Sequence, residues 1–269
     1  MLNSHIGNLL AAKSPLEEIA SKTLFTVPVG PWQFPFTNHM LMIMLASLVL
    51  ITAIPLAMRR QSLVPKGLTN VVETICVFIR EDMARPFLKD QTDRFIGILW
   101  TLFFFILTMN LLGLMPLSRM IWAVTGRPNE IGGAATGNLW VTGALATFAF
   151  FLFHIAGIRE KGFWHYLATL SPKVPWPLMP IMFVLELVSS FVRLFSLAIR
   201  LFANIMAGHI LLATLLGFII MFKNYMVATA SITMVTAMSL LEIFVAFLQA
   251  YIFVFLTAIF IGFAISEEH

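Results

Sequence analysis

Seven polar side chains in the C-terminal third of the chain lie in apolar stretches and draw a polar line through them: Glu186, Arg193, Arg200, Asn204, His209, Glu242 and Gln249. Arg200 lies deep inside an apolar stretch running from about Pro180 to Met221, too far from either end to reach water. An arginine is expensive there and marks an ion or substrate path, or else a structural pair with a buried carboxylate. At about 100° per residue, Glu186, Arg193 and Arg200 repeat every seven positions and drift by only ~20° per heptad, so the three share one stripe. Asn204 falls one turn beyond Arg200 on nearly the same stripe, and His209 points to another face. Glu242 and Gln249 are also seven apart and share a face. Histidine and carboxylates can relay protons, whereas an always-protonated guanidinium cannot pass one on.

These side chains must be positioned by membrane helices. With 59% hydrophobic and 11% charged residues over 269 positions, a mean hydropathy of +0.92 and apolar runs of 18 residues or more, the chain reads as an all-α polytopic membrane protein. It is expected to form one integral membrane domain over residues 1–269. Five spans are expected, at 38–58, 95–116, 138–158, 178–220 and 231–265. Residues 67–94 mix apolar positions at helical spacing (Leu68, Val71, Val72, Ile75, Phe78, Ile79) with charges (Glu73, Arg80, Glu81, Asp82, Arg85, Lys89). That pattern predicts an amphipathic helix lying on the membrane surface. Residues 1–37 are mixed polar and proline-interrupted, without the basic and apolar regions of a cleaved signal, and read as part of the mature chain.

Basic residues set the orientation. Arg59, Arg60, Lys66, Arg80, Arg85, Lys89, Arg94, Arg159, Lys161 and Lys173 fall on one side of a five-span arrangement, and Lys13, Lys22, Arg119, Arg127 and Lys223 on the other. The richer side is the inner one, which puts residues 1–37 outside and the C-terminus inside. The last two apolar segments, the pair within 178–265, are too long to stand upright, since about 40 residues make ~60 Å of helix against a hydrocarbon core near 30 Å. Steep tilt against a protein neighbour is the expected solution. On this topology Glu186 lies in the inner half, Arg200 near the middle and His209 about 13 Å further out. Glu242 lies in the outer half, with Gln249 about 10 Å deeper. His209 and Glu242 can then line an outward-facing path and Glu186 with Arg193 an inward-facing one, with Arg200 between them.

The run Arg200-Leu-Phe-Ala-Asn204-Ile-Met-Ala-Gly208-His209, preceded by Ser196-Leu-Ala-Ile, resembles the signature of subunit a of the F-type ATP synthase, also called ATPase subunit 6. The resemblance extends to Pro65 through Asn70 and Glu73, Asn110-Leu-Leu-Gly113-Leu-Met-Pro116, Leu185-Glu186, Leu241-Glu242, Leu248-Gln249-Ala-Tyr251 and the Ser266-Glu-Glu-His269 ending. It implies a proton-translocating, non-catalytic stator subunit of the membrane Fo sector. Two offset half-channels would load and unload carboxylates on the rotating ring of c subunits. Arg200 would face that ring and draw each passing carboxylate into its ionised form, since a nearby cation lowers a carboxyl pKa. Asn204, His209 and Glu242 match outer half-channel positions, Gln249 the residue packed near the arginine, and Glu186 with Arg193 the inner half-channel. The His209 and Glu242 order is that of mitochondrial and many bacterial members; Asn138 stands where some bacterial relatives have an acid. Implied partners are the c-ring, the peripheral-stalk subunit b, other synthase subunits, lipid and protons. The acidic ending favours the bacterial plasma membrane over the mitochondrial inner membrane.

Blander readings stand beside these. Arg193 can pair loosely with Glu186 or hold a helix interface, and Gln249 can serve interhelical hydrogen bonding. His5, His39, His154 and His165 read as interfacial packing at span ends or in loops. No metal or cofactor site is expected, the lone Cys76 excludes an internal disulfide, and the net charge of +4 follows from orientation rather than nucleic-acid binding. A secondary transporter with a mid-membrane polar site is the alternative, although five spans do not divide into matching halves. An intramembrane enzyme would need a nucleophile and base, and no such constellation stands out.

Overall fold

The computed structural model of the chain describes residues 21–29, 32–58, 67–115, 117–126, 132–169 and 178–266. His5, Lys13, Arg59, Arg60, Pro65, Lys66, Pro116, Arg127, Lys173 and Glu267 to His269 lie outside them.

The described chain opens with a two-stranded antiparallel hairpin, β1 (Thr23–Val29) and β2 (Trp32–Thr37), in which Val29 pairs with Trp32 and Thr26 with Pro35. Phe25 stacks on Phe36 with ring centroids 4.6 Å apart. The sequence reading contained no strand here, because the threonines, prolines and aromatics break any clean alternation. β2 runs directly into α1 (Asn38–Met58). Asn38 fixes that junction: its Oδ1 accepts from Lys22 N at 3.1 Å, and its Nδ2 donates to Gly132 O at 3.0 Å.

Residues 67–94 depart from the single amphipathic helix that the periodicity predicts. α2 (Leu68–Phe78) passes into a π-helical stretch, Ile79–Ala84, then a single turn α3 (Arg85–Leu88) and a 3₁₀ turn, Lys89–Gln91. Pro86 explains the widening, since it has no N–H to give the preceding turn and its ring crowds the carbonyl four residues back. Lys89, with φ at 47°, ends the turn. Thr92 then starts α4 (Thr92–Leu114), its hydroxyl donating to Lys89 O at 2.6 Å. Charges tie these pieces together: Arg80 meets Asp93 at 2.7 Å, and Arg85 pairs with Glu81.

The remaining elements are α5 (Leu117–Thr125), a 3₁₀ turn at Ala135–Gly137, α6 (Leu139–Lys161), α7 (Phe163–Thr169), α8 (Met179–Phe222) and α9 (Tyr225–Ile265). The helices at Asn38, Thr92, Leu139, Met179 and Tyr225 begin within a few residues of the expected spans, and the fold is all-α and polytopic apart from the short hairpin. α9 begins earlier than hydropathy suggests. The Lys223-Asn224 dipeptide suffices as a connection, with Lys223 at φ 47° and Asn224 Oδ1 accepting from Met226 N at 2.9 Å. The threonines that dilute the hydropathy of its first turns are internally satisfied. Thr229, Thr233 and Thr236 each donate to the carbonyl four residues back at 2.9 Å. At 44 and 41 residues, α8 and α9 are ~66 and ~61 Å long, twice the hydrocarbon thickness.

The chain divides into two compact units. The first comprises residues 1–46, 107–138 and 201–248, and the second residues 47–106, 139–200 and 249–269. In the first, Asn110 is fully buried; its Nδ2 donates to Ala246 O at 3.2 Å and its Oδ1 accepts from Thr136 Oγ1 at 2.9 Å. A side chain on Gly113 would put its Cβ 2.6 Å from the Ala134 Cβ, so α4 and the 132–138 segment touch backbone to backbone there. Replacing Asn110 with leucine is expected to destabilise this unit by about 1–3 kcal/mol, because the Thr136 hydroxyl loses its acceptor in a dry site. A lowered melting temperature of the detergent-purified complex would report it; an unchanged one would mean that neither hydrogen bond matters to stability. The second unit is built on Ile79, Met83, Leu99, Phe103, Phe253, Val254 and Ile261, all essentially inaccessible. Gly262 lets α9 approach the Phe87 backbone, where a Cβ would lie 2.8 Å from the carbonyl oxygen.

Candidate ion-translocation site

The site residues fall into two groups, one in each unit. In the second unit, α8 carries Glu186, Arg193 and Arg200 on its N-terminal half. The heptad spacing brings the first two together closely: Arg193 Nη2 donates to Glu186 Oε1 at 3.1 Å. The loose pairing considered from sequence is thus replaced by a direct, partly buried ion pair. Two helical turns separate the backbones by ~10 Å, a gap that a long arginine side chain spans when it lies back along the helix toward the N-terminus. The Arg193 guanidinium also sits over the Phe260 ring of α9, 5.3 Å from its centroid. That packing holds its orientation and offsets part of its desolvation.

Arg200 stands differently. It is exposed, and among the described residues its Nη2 approaches Ser196 Oγ, at 3.5 Å. It lies in an open trough of about 490 Å³ whose other lining residues include Val188, Ser189, Val192, Arg193, Leu256 and Phe260. The floor is apolar, with Ser189 and Ser196 as its neutral polar groups. An acidic side chain entering the trough would therefore meet the exposed Arg200 cation against a low-dielectric wall, where a carboxylate interacts strongly with it. Gln249 is buried on α9 in this same unit.

In the first unit Asn204 and His209 are partly buried on the C-terminal half of α8, and Glu242 is partly buried on α9. Glu242 meets α8 at Gly208: a Cβ built on that glycine would overlap Glu242 Oε1. This carboxyl oxygen is enclosed without a hydrogen-bond partner among the described residues. A glycine beside a buried carboxyl is a steric requirement that the sequence motif contained without explaining. Asn138 is partly buried at the start of α6.

Sequence reasoning passed over three features. Asn110 belongs to the Asn110-to-Pro116 motif, and a lone amide in the apolar run 95–116 already signals the buried hydrogen-bond anchor it forms. Gly208 was read only as part of the signature. His154, read as interfacial packing, lies within α6 and makes a 2.6 Å hydrogen bond to Tyr166 Oη; no local spacing of two residues on different helices foretells that pair.

Helices long enough to cross a membrane, with ionisable groups held inside their apolar runs, define a polytopic membrane protein. Residues 40–262 match the family described as ATP synthase A chain. ATP synthase subunit a of Chloroherpeton thalassium is 39% identical over 248 residues, covering 90% of this chain and 70% of the relative. Subunit a of Myxococcus xanthus is 41% identical over 245 residues, covering 89% and 76%. That of Anaeromyxobacter dehalogenans is 42% identical over 230 residues, covering 84% of this chain but 57% of the longer relative. The chain belongs to the ATP synthase A chain family, whose members are non-catalytic membrane subunits.

Proposed function

We propose that this chain is the stator subunit through which protons cross the membrane sector of an ATP synthase, loading and unloading carboxylates on a rotating ring of c subunits. The observation that carries the reading is the state of Arg200, a permanent cation exposed in an apolar trough on a 44-residue helix. Lipid is a poor neighbour for that side chain, whereas a partner helix presenting a carboxylate satisfies it. α8 agrees beyond Arg200, since Val188, Val192 and Phe195 are exposed apolar groups. Along the helix axis Glu186 and His209 lie on opposite sides of Arg200, so the inward path uses Glu186 and Arg193 and the outward path Asn204, His209 and Glu242. Gln249 supports the arginine from α9. Residues 67–94 lie at the inner membrane surface, the peripheral stalk supplies subunit b, and the membrane is the bacterial plasma membrane.

A cysteine pair tests the partner directly. In a Cys76→Ser background, Ala203→Cys replaces an exposed alanine one turn from Arg200, and Ala198→Cys replaces a buried one. With a single cysteine placed one turn from the ring carboxylate, Ala203→Cys is expected to form an oxidative cross-link to the c subunit and Ala198→Cys to form none. Absence of any adduct at residue 203 in an assembled complex would remove the ring from this face.

A further inference from the structure

The β1–β2 hairpin plays no part in the ion path, yet its composition is unusual for a segment outside the membrane spans. Between Thr23 and Asn38 there is no Asp, Glu, Lys, Arg or His. Side chains alternate across a strand with period two. Phe25 is the cross-strand partner of Phe36, and Phe34 lies two residues before Phe36, so the three rings share one face. Thr26, paired with Pro35, shares the other with Gln33. Phe25 and Phe36 stack on each other, but Phe25 is still 54% and Phe34 49% exposed. A two-stranded hairpin is marginal in water and needs its apolar face packed.

The level of the hairpin is fixed by its connections. β2 passes straight into α1, which is long and apolar enough to cross a membrane from Asn38 onward. Asn38 Nδ2 bonds Gly132 O, and a Cβ on Gly132 would lie 3.3 Å from Ser118 N. The start of α1 and the start of α5 are therefore held together through residue 132, and α1 begins at the membrane face where α4 ends. α5 shows the same character in helical form. Met120 and Val124, four residues apart on one stripe, are 55% and 86% exposed.

We propose that the hairpin and α5 form a lipid anchor, with the Phe25–Phe34–Phe36 face and the Met120–Val124 stripe seated in the headgroup–acyl boundary of the leaflet where α1 begins. On the positive-inside orientation that is the outer leaflet. Lipid suits this surface for two reasons. The aromatic face is continuous with a membrane span, since Phe36 stands only two residues, or ~7 Å of strand, before Asn38. The absence of charge from Thr23 to Asn38 also leaves nothing for an ionic partner to recognise, whereas apolar side chains ~5–10 Å into the boundary need none. The hairpin accordingly lies flat along the surface, rings toward the acyl chains and the Thr26 and Gln33 face toward water. Neutral phosphatidylcholine suffices as the lipid. The anchor concerns membrane contact alone and stands whether or not Arg200 faces a ring.

The test places a fluorescent label on each face of the hairpin. In a Cys76→Ser background, with that cysteine-free chain as the blank, Phe34→Cys and Gln33→Cys are labelled with a polarity-sensitive dye in the whole complex. The complex is held in phosphatidylcholine nanodiscs, so that iodide reaches both membrane faces. The label at residue 34 is expected to emit further to the blue, to lose its quenching by iodide and to be quenched by lipid spin-labelled near the headgroup. The label at residue 33 is expected to be quenched by iodide and little affected by the lipid quencher. Val124→Cys is expected to match Phe34→Cys, and decides alone if the latter does not assemble. Equal iodide quenching at residues 34 and 33 overturns the anchor, because the aromatic face is then in water. Shielding of residue 34 from iodide and from the lipid quencher together also overturns it, because a protein subunit then covers the face.

Discussion

Arg200→Ala is expected to leave a fully assembled synthase that hydrolyses ATP but moves no protons into vesicles. The expectation of intact assembly comes from the surroundings of the side chain. Arg200 is exposed and has Ser196 Oγ at 3.5 Å as its hydrogen-bond acceptor, so its removal leaves no buried charge behind and costs well under the 3–5 kcal/mol of breaking a buried pair. The expectation of lost pumping comes from what the cation does in the trough. On the proposed function it would hold an approaching carboxylate ionised and deny protons a direct passage between the two half-paths. Without it the ring carboxylate would stay protonated against an apolar wall, and rotation would no longer require release on one side and uptake on the other. Lysine is expected to restore little, because an ammonium in a partly desolvated site can itself lose its proton, which a guanidinium does not. The measurement is ATP-driven quenching of a pH dye in vesicles with matched amounts of native and variant complex. Pumping at the native rate would make Arg200 a structural residue and move attention to Glu242 and Glu186.

How far such a site can be read from sequence depends on whether the signal runs along one helix. The stripe of Glu186, Arg193 and Arg200 is a property of a single segment, so its geometry follows from 3.6 residues per turn, and the spans follow from the length of apolar runs. The start of α1 at Asn38 is legible for the same reason. What is not legible depends on choices between near-equal local alternatives or on partners far apart in the chain. The π-helical stretch at Ile79–Ala84 follows from Pro86, but a proline permits a kink or a break equally. The Glu186–Arg193 bond required a particular arginine rotamer supported by Phe260 of another helix. Asn110 reaches Ala246 across 136 positions, and His154 finds Tyr166 only because α7 folds back over Gly157. In each case the residue type was a visible anomaly, a polar group in an apolar run, while its partner was not.

Gly208 provides the second large effect, through a side chain it does not have. Because a Cβ at this position would overlap Glu242 Oε1, Gly208→Val must push the carboxyl away from α8 or push α9 itself. The carboxyl is the softer of the two, since it ends a flexible side chain and its enclosed oxygen has no hydrogen bond to lose among the described residues. If Glu242 passes protons as proposed, its displacement by about 1 Å is expected to lower ATP-driven pumping on the order of tenfold to a hundredfold. Glu242→Gln removes the titrating group without moving it, and is expected to slow pumping comparably while the complex assembles. If both substitutions act on one event, the double variant Gly208→Val with Glu242→Gln will pump no more slowly than the worse single one, because residues acting as a unit are not additive. Fully multiplicative losses would mean that Gly208 matters for some other contact of α8. Failure of Gly208→Val to assemble, with Glu242→Gln assembling normally, would show that the glycine serves the approach of the two long helices rather than the placement of the Glu242 carboxyl.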